Sequence, residues 1–334
     1  MATAGVSGFG AVCGHDAAKA QLQRAMARER LAHALLVTGP DGVGKQLLMR
    51  ALAMHLACGS VIHATGEACG TCDACRQVAA GSHPDVRIVG LPKEKREIRI
   101  EPIRELRAFM QLAPLTARRK VAMINDAHAL NGNAQNALLK ILEEPPPRSL
   151  LLLVTHSPGS LLPTVRSRCQ QVRCGPLPND VVSDILQRVH QMPAAEAALA
   201  AAYAEGSPGR ALQMRGMLGE RRQLLLDLAA LPSAGYGRLT EMIRDAIGRD
   251  EPALPLAMLL TWYRDQAVRA VGAAEAVGLH QSDRLPASAM VVAALLPAAV
   301  RGADAVTETL ARLRRGNPNR QLVLEALFLQ LQRG

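Results

Sequence analysis

The fold of this chain is decided by the stretch Gly39-Pro40-Asp41-Gly42-Val43-Gly44-Lys45-Gln46. An apolar run, 34–37, precedes it and predicts a short buried strand, and a helical pattern, 45–57, follows it. The order strand, glycine-rich turn, helix is that of a phosphate-binding loop, in which backbone N–H groups and the helix N-terminus face an anion. The sequence therefore predicts a nucleotide-type site in which Lys45 reaches the outer phosphates.

Two positions of this predicted site lack the residues that hold Mg²⁺. The loop lysine is normally followed by Ser or Thr, whose hydroxyl ligates the metal, but the residue here is Gln46. The other metal-holding residue is normally an acid at the end of a neighbouring apolar strand. The strand predicted at 120–125 is followed at this place by the pair Asn125-Asp126, in which Asn125 is an amide. We therefore expect a degenerate nucleotide site built from Gly39, Gly42, Gly44, Lys45, Gln46, Asn125 and Asp126.

Length and composition limit the possible classes of protein. The chain has 334 residues, 49% of them hydrophobic and 2% aromatic, which predicts two or three domains packed on aliphatic side chains. The net charge is +10. This charge fits an arginine-rich protein without a polyanionic ligand, and it also fits a protein attracted to a polyanion such as DNA. Charge alone favours the first interpretation, because the sequence has no long basic run.

Targeting signals are not visible in the sequence. No apolar run approaches the roughly 18–20 residues of a membrane span, and no charged segment followed by an apolar one begins the chain. We therefore expect a cytoplasmic protein. In that compartment the seven cysteines are not expected to form disulfides.

Four cysteines have the spacing of a metal site. Cys58 is followed after ten residues by Cys69, Cys72 and Cys75, which gives four thiolates for one tetrahedral ion. Structural zinc is the favoured interpretation; a Cys-x-x-Cys redox centre and an iron–sulfur cluster are the alternatives. The remaining cysteines are expected to be ordinary buried thiols: Cys13, Cys169 and Cys174.

The remaining pattern divides the chain into an α/β part and an all-helical part. Strands are predicted at 85–89, 120–125, 150–155 and 170–173, and helices at 16–30, 101–112 and 131–143. Short helices follow up to about residue 217. Beyond that point only helices are predicted, with breaks at Pro and Gly: 219–231, 236–249, 253–277, 287–302, 304–315 and 320–332. The predicted domains are 1–175 with a zinc-binding insertion at 58–75, a helical lid at 176–215, and a helical C-terminal domain at 216–334.

Several blocks together resemble a known family. Leu31-Ala32-His33-Ala34-Leu35-Leu36, the four-cysteine insertion, the run 136–146 (NALLKILEEPP) and Ser167-Arg168-Cys169 are similar to the AAA+ clamp-loader subunits of bacteria. The resemblance covers about residues 10–215 by motif. It implies an α/β AAA+ core with a parallel, P-loop-type sheet, a small helical lid and an all-α C-terminal collar domain.

The resemblance also implies roles for single residues. The family contains motor subunits with intact nucleotide chemistry and subunits that have lost it, and Gln46 and Asn125 place this chain with the second group. We therefore expect ATP binding that is weak or absent, no independent ATPase activity, and a role as a stator. Arg168 would be an arginine finger that reaches the γ-phosphate bound by a neighbouring subunit. Thr155 matches a γ-phosphate-sensing position, whereas Gly209 replaces the lid arginine, so Arg210 is given no nucleotide role.

The partners implied by the resemblance are the motor subunits (gamma/tau) and the delta subunit in a hetero-pentamer, the sliding clamp, and primed DNA bound by the assembled complex. The complex is part of the DNA-directed DNA polymerase III holoenzyme, a nucleotidyltransferase assembly that carries out DNA replication. One alternative is an active clamp-loading ATPase of the gamma/tau type. A zinc-dependent DNA-binding or repair protein is another, although no aromatic–basic cluster adjoins the cysteines.

Overall fold

A computed structural model describes residues 8–60, 67–92, 95–215, 241, 253–271, 296–314 and 319–333. The chain folds into two compact units. The first comprises 1–190 with 205–210, and the second comprises 191–204 with 211–334. The division into three domains given above remains a prediction.

The first unit is built on a parallel five-stranded sheet. Its strands are β1 (Ala34–Thr38), β2 (Val86–Val89), β3 (Lys120–Ile124), β4 (Ser149–Thr155) and β5 (Gln170–Arg173), in the order β2-β3-β4-β1-β5. Each predicted strand is present, with bounds that lie close to the predicted ones. The predicted fold class, an α/β core with a parallel sheet, is therefore confirmed.

Helices cover both faces of this sheet. In β1, Leu35 and Val37 belong to one apolar cluster, whereas Ala34 and Leu36 belong to a second cluster on the opposite face. Parallel sheets covered on both faces have strands that are apolar at nearly every position, which is the pattern of β1 and β4. The helices of this unit are α1 (Asp16–Ala27), α2 (Lys45–Ala57), α3 (Asp73–Ala80), α4 (Ile100–Gln111), α5 (Gly132–Glu143), α6 (Pro163–Arg166) and α7 (Asn179–His190).

Helix α1 ends at Ala27, short of the predicted end at Arg30. Glu29 adopts a left-handed backbone with φ of 53°, and its N–H donates to the carbonyl of Met26. The N–H of Arg30 donates to the carbonyl of Ala25. This pair of hydrogen bonds is a Schellman ending, normally made by glycine, and it stops the helix without a sequence signal at that position.

Helix α5 matches its prediction closely. The side chain of Asn131 caps the helix by accepting a hydrogen bond from the N–H of Ala134 at 3.0 Å. Leu138 and Leu142 are buried, and Leu139 is partly buried. Lys140 and Glu143 are exposed. The helix is therefore held firmly at its start and along one face.

A buried ion pair fixes the loop between α4 and β3. Asp85 is completely buried, and its carboxylate lies 3.3 Å from the Nζ of Lys120, which is also buried. The same carboxylate accepts hydrogen bonds from the backbone N–H groups of Leu115, Thr116 and Ala117. Burial alone would raise the pKa of Asp85, but these hydrogen bonds outweigh it and hold the pKa well below its ordinary value.

The second unit is helical where it is described. Its helices are α8 (Ala194–Tyr203), α10 (Ala253–Ala270), α11 (Leu296–Arg314) and α12 (Arg320–Arg333), and α9 (Pro208–Met214) runs across the boundary between the units. Leu259, Trp262, Val306, Leu324 and Phe328 are among the residues of its apolar core. None of the helices within the described ranges has the length and apolar character that a membrane span requires.

One predicted helix boundary in this unit is wrong. The sequence predicted separate helices at 287–302 and 304–315, with a break at Gly302, but α11 continues through this glycine. A Cβ at Gly302 would lie 2.3 Å from Cε1 of Tyr263, a residue of α10. The glycine therefore allows the Tyr263 ring to pack directly against the backbone of α11. The predicted helices 219–231 and 236–249 lie outside the described residues, apart from residue 241.

Candidate functional site

The predicted nucleotide-site residues meet at one edge of the sheet. The loop 39–44 follows β1, Asn125 follows β3, and Thr155 ends β4, where it pairs in register with Thr38 of β1. The carboxyl ends of parallel strands share an edge, and β1 lies between β4 and β5, where the chain order reverses. Ligand sites of open α/β sheets form at such a reversal. The structure therefore brings Gly39, Gly42, Gly44, Lys45, Gln46, Asn125, Asp126 and Thr155 to this edge.

The loop requires glycine at its first position. Gly39 has φ of 152°, and a Cβ on it would lie 1.9 Å from the carbonyl oxygen of Cys174. This close approach anchors the loop to the chain that leaves β5. The predicted tight turn therefore forms, and α2 begins directly after it at Lys45.

The side chain of Lys45 is buried within the loop. Its Nζ donates hydrogen bonds to the carbonyls of Gly39, at 2.9 Å, and Pro40, at 2.6 Å. Burial lowers the pKa of Lys45, and the nearby carboxylates of Asp41 and Asp126 act in the opposite direction. Two of the three ammonium hydrogens are thus satisfied by the loop itself.

The two positions expected to hold Mg²⁺ carry amides in different environments. Gln46 is exposed at the start of α2. The Oδ1 of Asn125 is buried and has no hydrogen-bond partner among the described residues. Asp126, with φ of 54°, begins the short turn Ala127–Ala129. Of the neighbours Asn125 and Asp126, only Asp126 could supply a carboxylate to a cation at this edge of the sheet.

Thr155 is buried and its hydroxyl oxygen is engaged locally. Its Oγ1 accepts a hydrogen bond from the N–H of Ser157 at 3.0 Å. The hydroxyl hydrogen remains available as a donor. The position is therefore fixed by the turn that follows β4.

The start of α9 lies directly on the glycine loop, a contact that the sequence did not predict. Ser207 Oγ donates to the carbonyl of Asp41 at 2.7 Å, and the N–H of Gly209 donates to the carbonyl of Gly42 at 2.9 Å. A Cβ on Gly209 would lie 2.8 Å from Cα of Gly42. Arg210 instead contacts Glu205 at 2.6 Å. Gly209 therefore permits backbone-to-backbone packing of the start of α9 on the loop.

The sequence also did not predict that three histidines lie near this edge of the sheet. The Nε2 of His15 lies 2.7 Å from the carbonyl oxygen of Val43 in the loop. The rings of His128 and His156 have centroids 3.9 Å apart, and burial, followed by the neighbouring imidazole, lowers the pKa of His128. Each is isolated in the sequence, so no spacing could have revealed these contacts.

Arg168 lies at the surface after α6. One guanidinium nitrogen is 3.0 Å from Oε1 of Glu143, and another donates to the carbonyl of Thr164 at 3.1 Å. The arginine side chain is 38% exposed, so part of the guanidinium can meet another molecule.

The four predicted metal-ligating cysteines come together. Cys58 follows α2, Cys72 directly precedes α3, and Cys75 lies within α3. Their sulfurs and that of Cys69 all lie within 4.8 Å of one another. The Cys58 sulfur is 3.6 Å from that of Cys69 and 3.9 Å from that of Cys72. Zinc–sulfur bonds of about 2.3 Å in a tetrahedron place sulfurs about 3.8 Å apart. The cluster therefore fits a four-coordinate zinc ion.

The thiols of the cluster differ in acidity. Hydrogen bonds from the backbone N–H groups of Thr71 and Cys72 lower the pKa of Cys69 to about 6. Burial raises the pKa of Cys58 and Cys75. A bound cation would favour the thiolate form of every ligand, and four sulfurs leave no open position for catalysis.

The three remaining cysteines are not all buried. Burial raises the pKa of Cys169 and of Cys174 to about 11, as expected for inert core thiols. Cys13 is exposed, so the prediction that it is buried is wrong. It lies next to buried Val12, and the chain turns toward α1 there, which leaves its side chain outside the core.

The sheet order, with the phosphate-type loop after β1, defines the P-loop α/β core of the AAA+ class. Comparison with known proteins narrows this class. A family model described as "DNA polymerase III, delta subunit" matches residues 14–178. DNA polymerase III subunit delta' of Pseudomonas aeruginosa is 36% identical over 242 residues, which are 71% of this chain and 71% of that protein. The chain belongs to the DNA polymerase III delta' family.

Two further similarities extend this comparison. DNA polymerase III subunit tau of Escherichia coli (strain K12) is 33% identical over 268 residues, covering 79% of this chain and 39% of that protein. A crystal structure of a DNA polymerase III gamma subunit-related protein from Thermotoga maritima aligns with a TM-score of 0.45 at 17% identity, covering 94% of this chain and 98% of that one.

Proposed function

We propose that this protein is the delta'-type subunit of a DNA polymerase III clamp loader, that it does not hydrolyse ATP itself, and that it acts as a stator. The observation that carries the proposal is the pair of amides at the Mg²⁺-holding positions, exposed Gln46 and buried Asn125. Phosphoryl transfer depends on positioning and on neutralising phosphate charge, and the metal supplies much of that neutralisation. Gln46 lacks the hydroxyl, and Asn125 lacks the negative charge, that would hold the metal.

The test of this proposal is ATP turnover by the purified chain. We expect no turnover above background for the natural sequence. The double variant Gln46→Thr with Asn125→Asp restores both metal-holding groups and should begin to bind MgATP. Turnover by the natural chain at the rate of a motor subunit would contradict the proposal, and the alternative, an active gamma/tau-type ATPase, would then stand. The intact glycine loop, Lys45 and the 33% identity to a tau subunit are the observations that favour that alternative.

The chemical contribution of this chain would be made by Arg168. A surface guanidinium offered to a neighbouring subunit can stabilise the charge that develops on a transferred phosphoryl group, and such a finger is worth about 10³–10⁵ in rate in well-studied GTPases. The exposed fraction of the Arg168 side chain and the hydrogen bond from its guanidinium to the Thr164 carbonyl suit this role. Thr155, in a site that lacks both metal-holding groups, would have only a structural role.

Substitution of Arg168 tests this role in the assembled complex. Arg168→Ala should lower the ATPase rate of the adjacent motor subunit while leaving assembly intact. Arg188→Ala is the matched control, because Arg188 is an exposed arginine paired with Asp184 on α7. An unchanged ATPase rate in the Arg168→Ala complex would contradict the role.

We propose that Cys58, Cys69, Cys72 and Cys75 hold one structural zinc ion. The converging sulfurs and the low pKa of Cys69 support this proposal, and the ion would tie the end of α2 to the start of α3. Metal analysis of the purified protein should find one zinc per chain. Cys72→Ser should reduce that content and lower the melting temperature, whereas Cys13→Ser, at an exposed thiol outside the cluster, should change neither.

The proposed partners are the gamma/tau and delta subunits in a hetero-pentamer, the sliding clamp and primed DNA. Residues 216–334 would form the collar that holds the subunits together, and residues 176–215 would form the lid. The net charge of +10 suits an assembly that encloses DNA through phosphate contacts. Since chromosomal replication is the work of such a complex, we place the protein in the cytoplasm, as part of the DNA-directed DNA polymerase (nucleotidyltransferase) holoenzyme.

A further inference from the structure

The guanidinium of Arg168 is held at two points by residues from different elements. Oε1 of Glu143, the last residue of α5, lies 3.0 Å from one terminal nitrogen. The carbonyl oxygen of Thr164, in α6, accepts from the other terminal nitrogen at 3.1 Å. Two contacts on a planar group fix its orientation as well as its position.

Glu143 stands on a rigid support. Helix α5 is capped by Asn131 at its start, and Leu138 and Leu142 fix its buried face in the core of the sheet. The chain leaves the helix at Glu144, next to Pro145. Core packing therefore fixes the backbone from which the Glu143 side chain extends, although that side chain is 50% exposed.

We propose that Glu143 is the positioning residue of the arginine finger, which rests on the function proposed above for Arg168. A free arginine side chain has several rotatable bonds, and much of that freedom is lost when the side chain engages a phosphate. The Glu143 contact removes part of that freedom before the neighbouring nucleotide arrives. A guanidinium has five N–H donors, and the Thr164 carbonyl accepts from one of them, which leaves N–H donors for a phosphate of the adjacent subunit.

The size of the effect follows from the exposure of the pair. Because both side chains are partly solvated, their attraction is modest, and removal of the carboxylate should lower the neighbour's ATPase rate by about two- to fivefold. The loss should fall on kcat, with little change in the KM for ATP, because the finger stabilises charge that develops during transfer. A glutamine retains a carbonyl acceptor and should therefore lose clearly less of the rate than alanine.

The experiment measures ATPase rates of the reconstituted clamp loader with variants of this chain. Glu143→Ala should lower kcat as stated, and Glu143→Gln should restore most of the loss. Glu144→Ala is the matched control, because Glu144 is the adjacent exposed carboxylate and makes no ion pair among the described residues. When Arg168→Ala is already present, adding Glu143→Ala should cause no further loss, because the carboxylate acts only through the arginine.

Three results would overturn the inference. If Arg168→Ala leaves the rate unchanged, the finger itself is wrong and the positioning role falls with it. If Arg168→Ala lowers the rate but Glu143→Ala does not, or raises it, the finger stands and the positioning role is wrong. If Glu143→Ala lowers the rate equally with and without Arg168, its effect is a general structural one.

Discussion

Lys45 is the residue at which the proposed loss of metal-holding groups would have its largest consequence. A loop lysine and Mg²⁺ normally share the neutralisation of the outer phosphates. With amides at 46 and 125, the ammonium would face those phosphates without the metal. In the structure it instead donates to the carbonyls of Gly39 and Pro40, so a nucleotide would have to replace hydrogen bonds that the loop already satisfies. The same side chain that identifies the fold therefore stabilises the loop.

Asp85 offers a sharp test of stability at a single residue. Asp85→Asn removes the charge partner of buried Lys120 and turns an amide N–H₂ toward three backbone donors. The free energy of unfolding should fall by about 3 kcal/mol, because a buried charge is left unpaired. Denaturant unfolding measures this change. Asp184→Asn, in an exposed pair with Arg188, is the control and should cost under about 1 kcal/mol. Similar losses in both variants would contradict the assigned role of Asp85.

The same carboxylate predicts the behaviour of the protein in acid. The folded pKa of Asp85 is below its ordinary value, so the unfolded chain takes up the proton first, at a pKa of about 3.9. The stabilisation is complete above that pH and is lost as pH falls through the folded pKa. Unfolding free energies measured from about pH 6 down to pH 2 should decline below about pH 4. The decline should be shallower in Asp85→Asn, and parallel curves for the two proteins would count against this explanation.

At the scale of helices and strands, the sequence correctly predicted those elements that a local sequence pattern marks. The five strands, α2 and α5 were found near their predicted bounds because apolar runs, glycine turns and prolines mark them. The α5 ending at Glu143, before Pro145, is one example. The end of α1 was missed because Glu29 makes a turn that usually needs glycine. The continuity of α11 was missed because Gly302 serves a contact with Tyr263, far away in sequence.

The contact between α10 and α11 predicts that Gly302→Ala changes the stability in opposite directions when Tyr263 is present and when it is replaced by alanine. Gly302→Ala places a methyl group against the Tyr263 ring, and crowding of about 2 kcal/mol should exceed the helix-propensity gain of about 1 kcal/mol. The variant should therefore be less stable by about 1 kcal/mol. When Tyr263→Ala is present, the crowding is absent and Gly302→Ala should stabilise by up to about 1 kcal/mol. Thermal unfolding of the four proteins provides the comparison, and the same sign in both backgrounds would exclude the contact as the cause.

The contact between α9 and the glycine loop gives the second prediction at this scale. Gly209→Ala would place a Cβ 2.8 Å from Cα of Gly42, and backbone atoms cannot yield as a side-chain end can. The start of α9 should be displaced, with a loss of about 1–3 kcal/mol and faster amide exchange in the loop. Gly132→Ala is the control, because a Cβ there has open space within 4 Å. If loop exchange in Gly209→Ala matches that of the control, the packing does not hold the loop.

For the molecule as a whole, the sequence predicted which residues form the candidate site, but it did not predict the residues that contact them. The cysteine cluster and the nucleotide-type edge follow from spacing and from the shared edge of parallel strands. Ser207 and Glu143 could not be assigned from sequence, because each acts through a contact set by the tertiary fold: Ser207 reaches Asp41 across 166 residues. The proposed finger, Arg168, and its proposed support, Glu143, both lie outside the glycine loop, so a chain without metal-holding groups of its own could still supply chemistry to a neighbour.

The proposed loss of metal-dependent nucleotide binding predicts how the stability of the whole protein responds to MgATP. A ligand present at 100 times its Kd would stabilise the folded chain by about 2.7 kcal/mol, or roughly 2–4 °C in melting temperature for each kcal/mol. We expect millimolar MgATP to leave the melting temperature of the natural chain unchanged. The variant Gln46→Thr with Asn125→Asp should melt at a higher temperature with MgATP, and adding Lys45→Ala should abolish that shift. A shift in the natural chain as large as in the restored variant would mean that the loop holds nucleotide without its metal-binding groups.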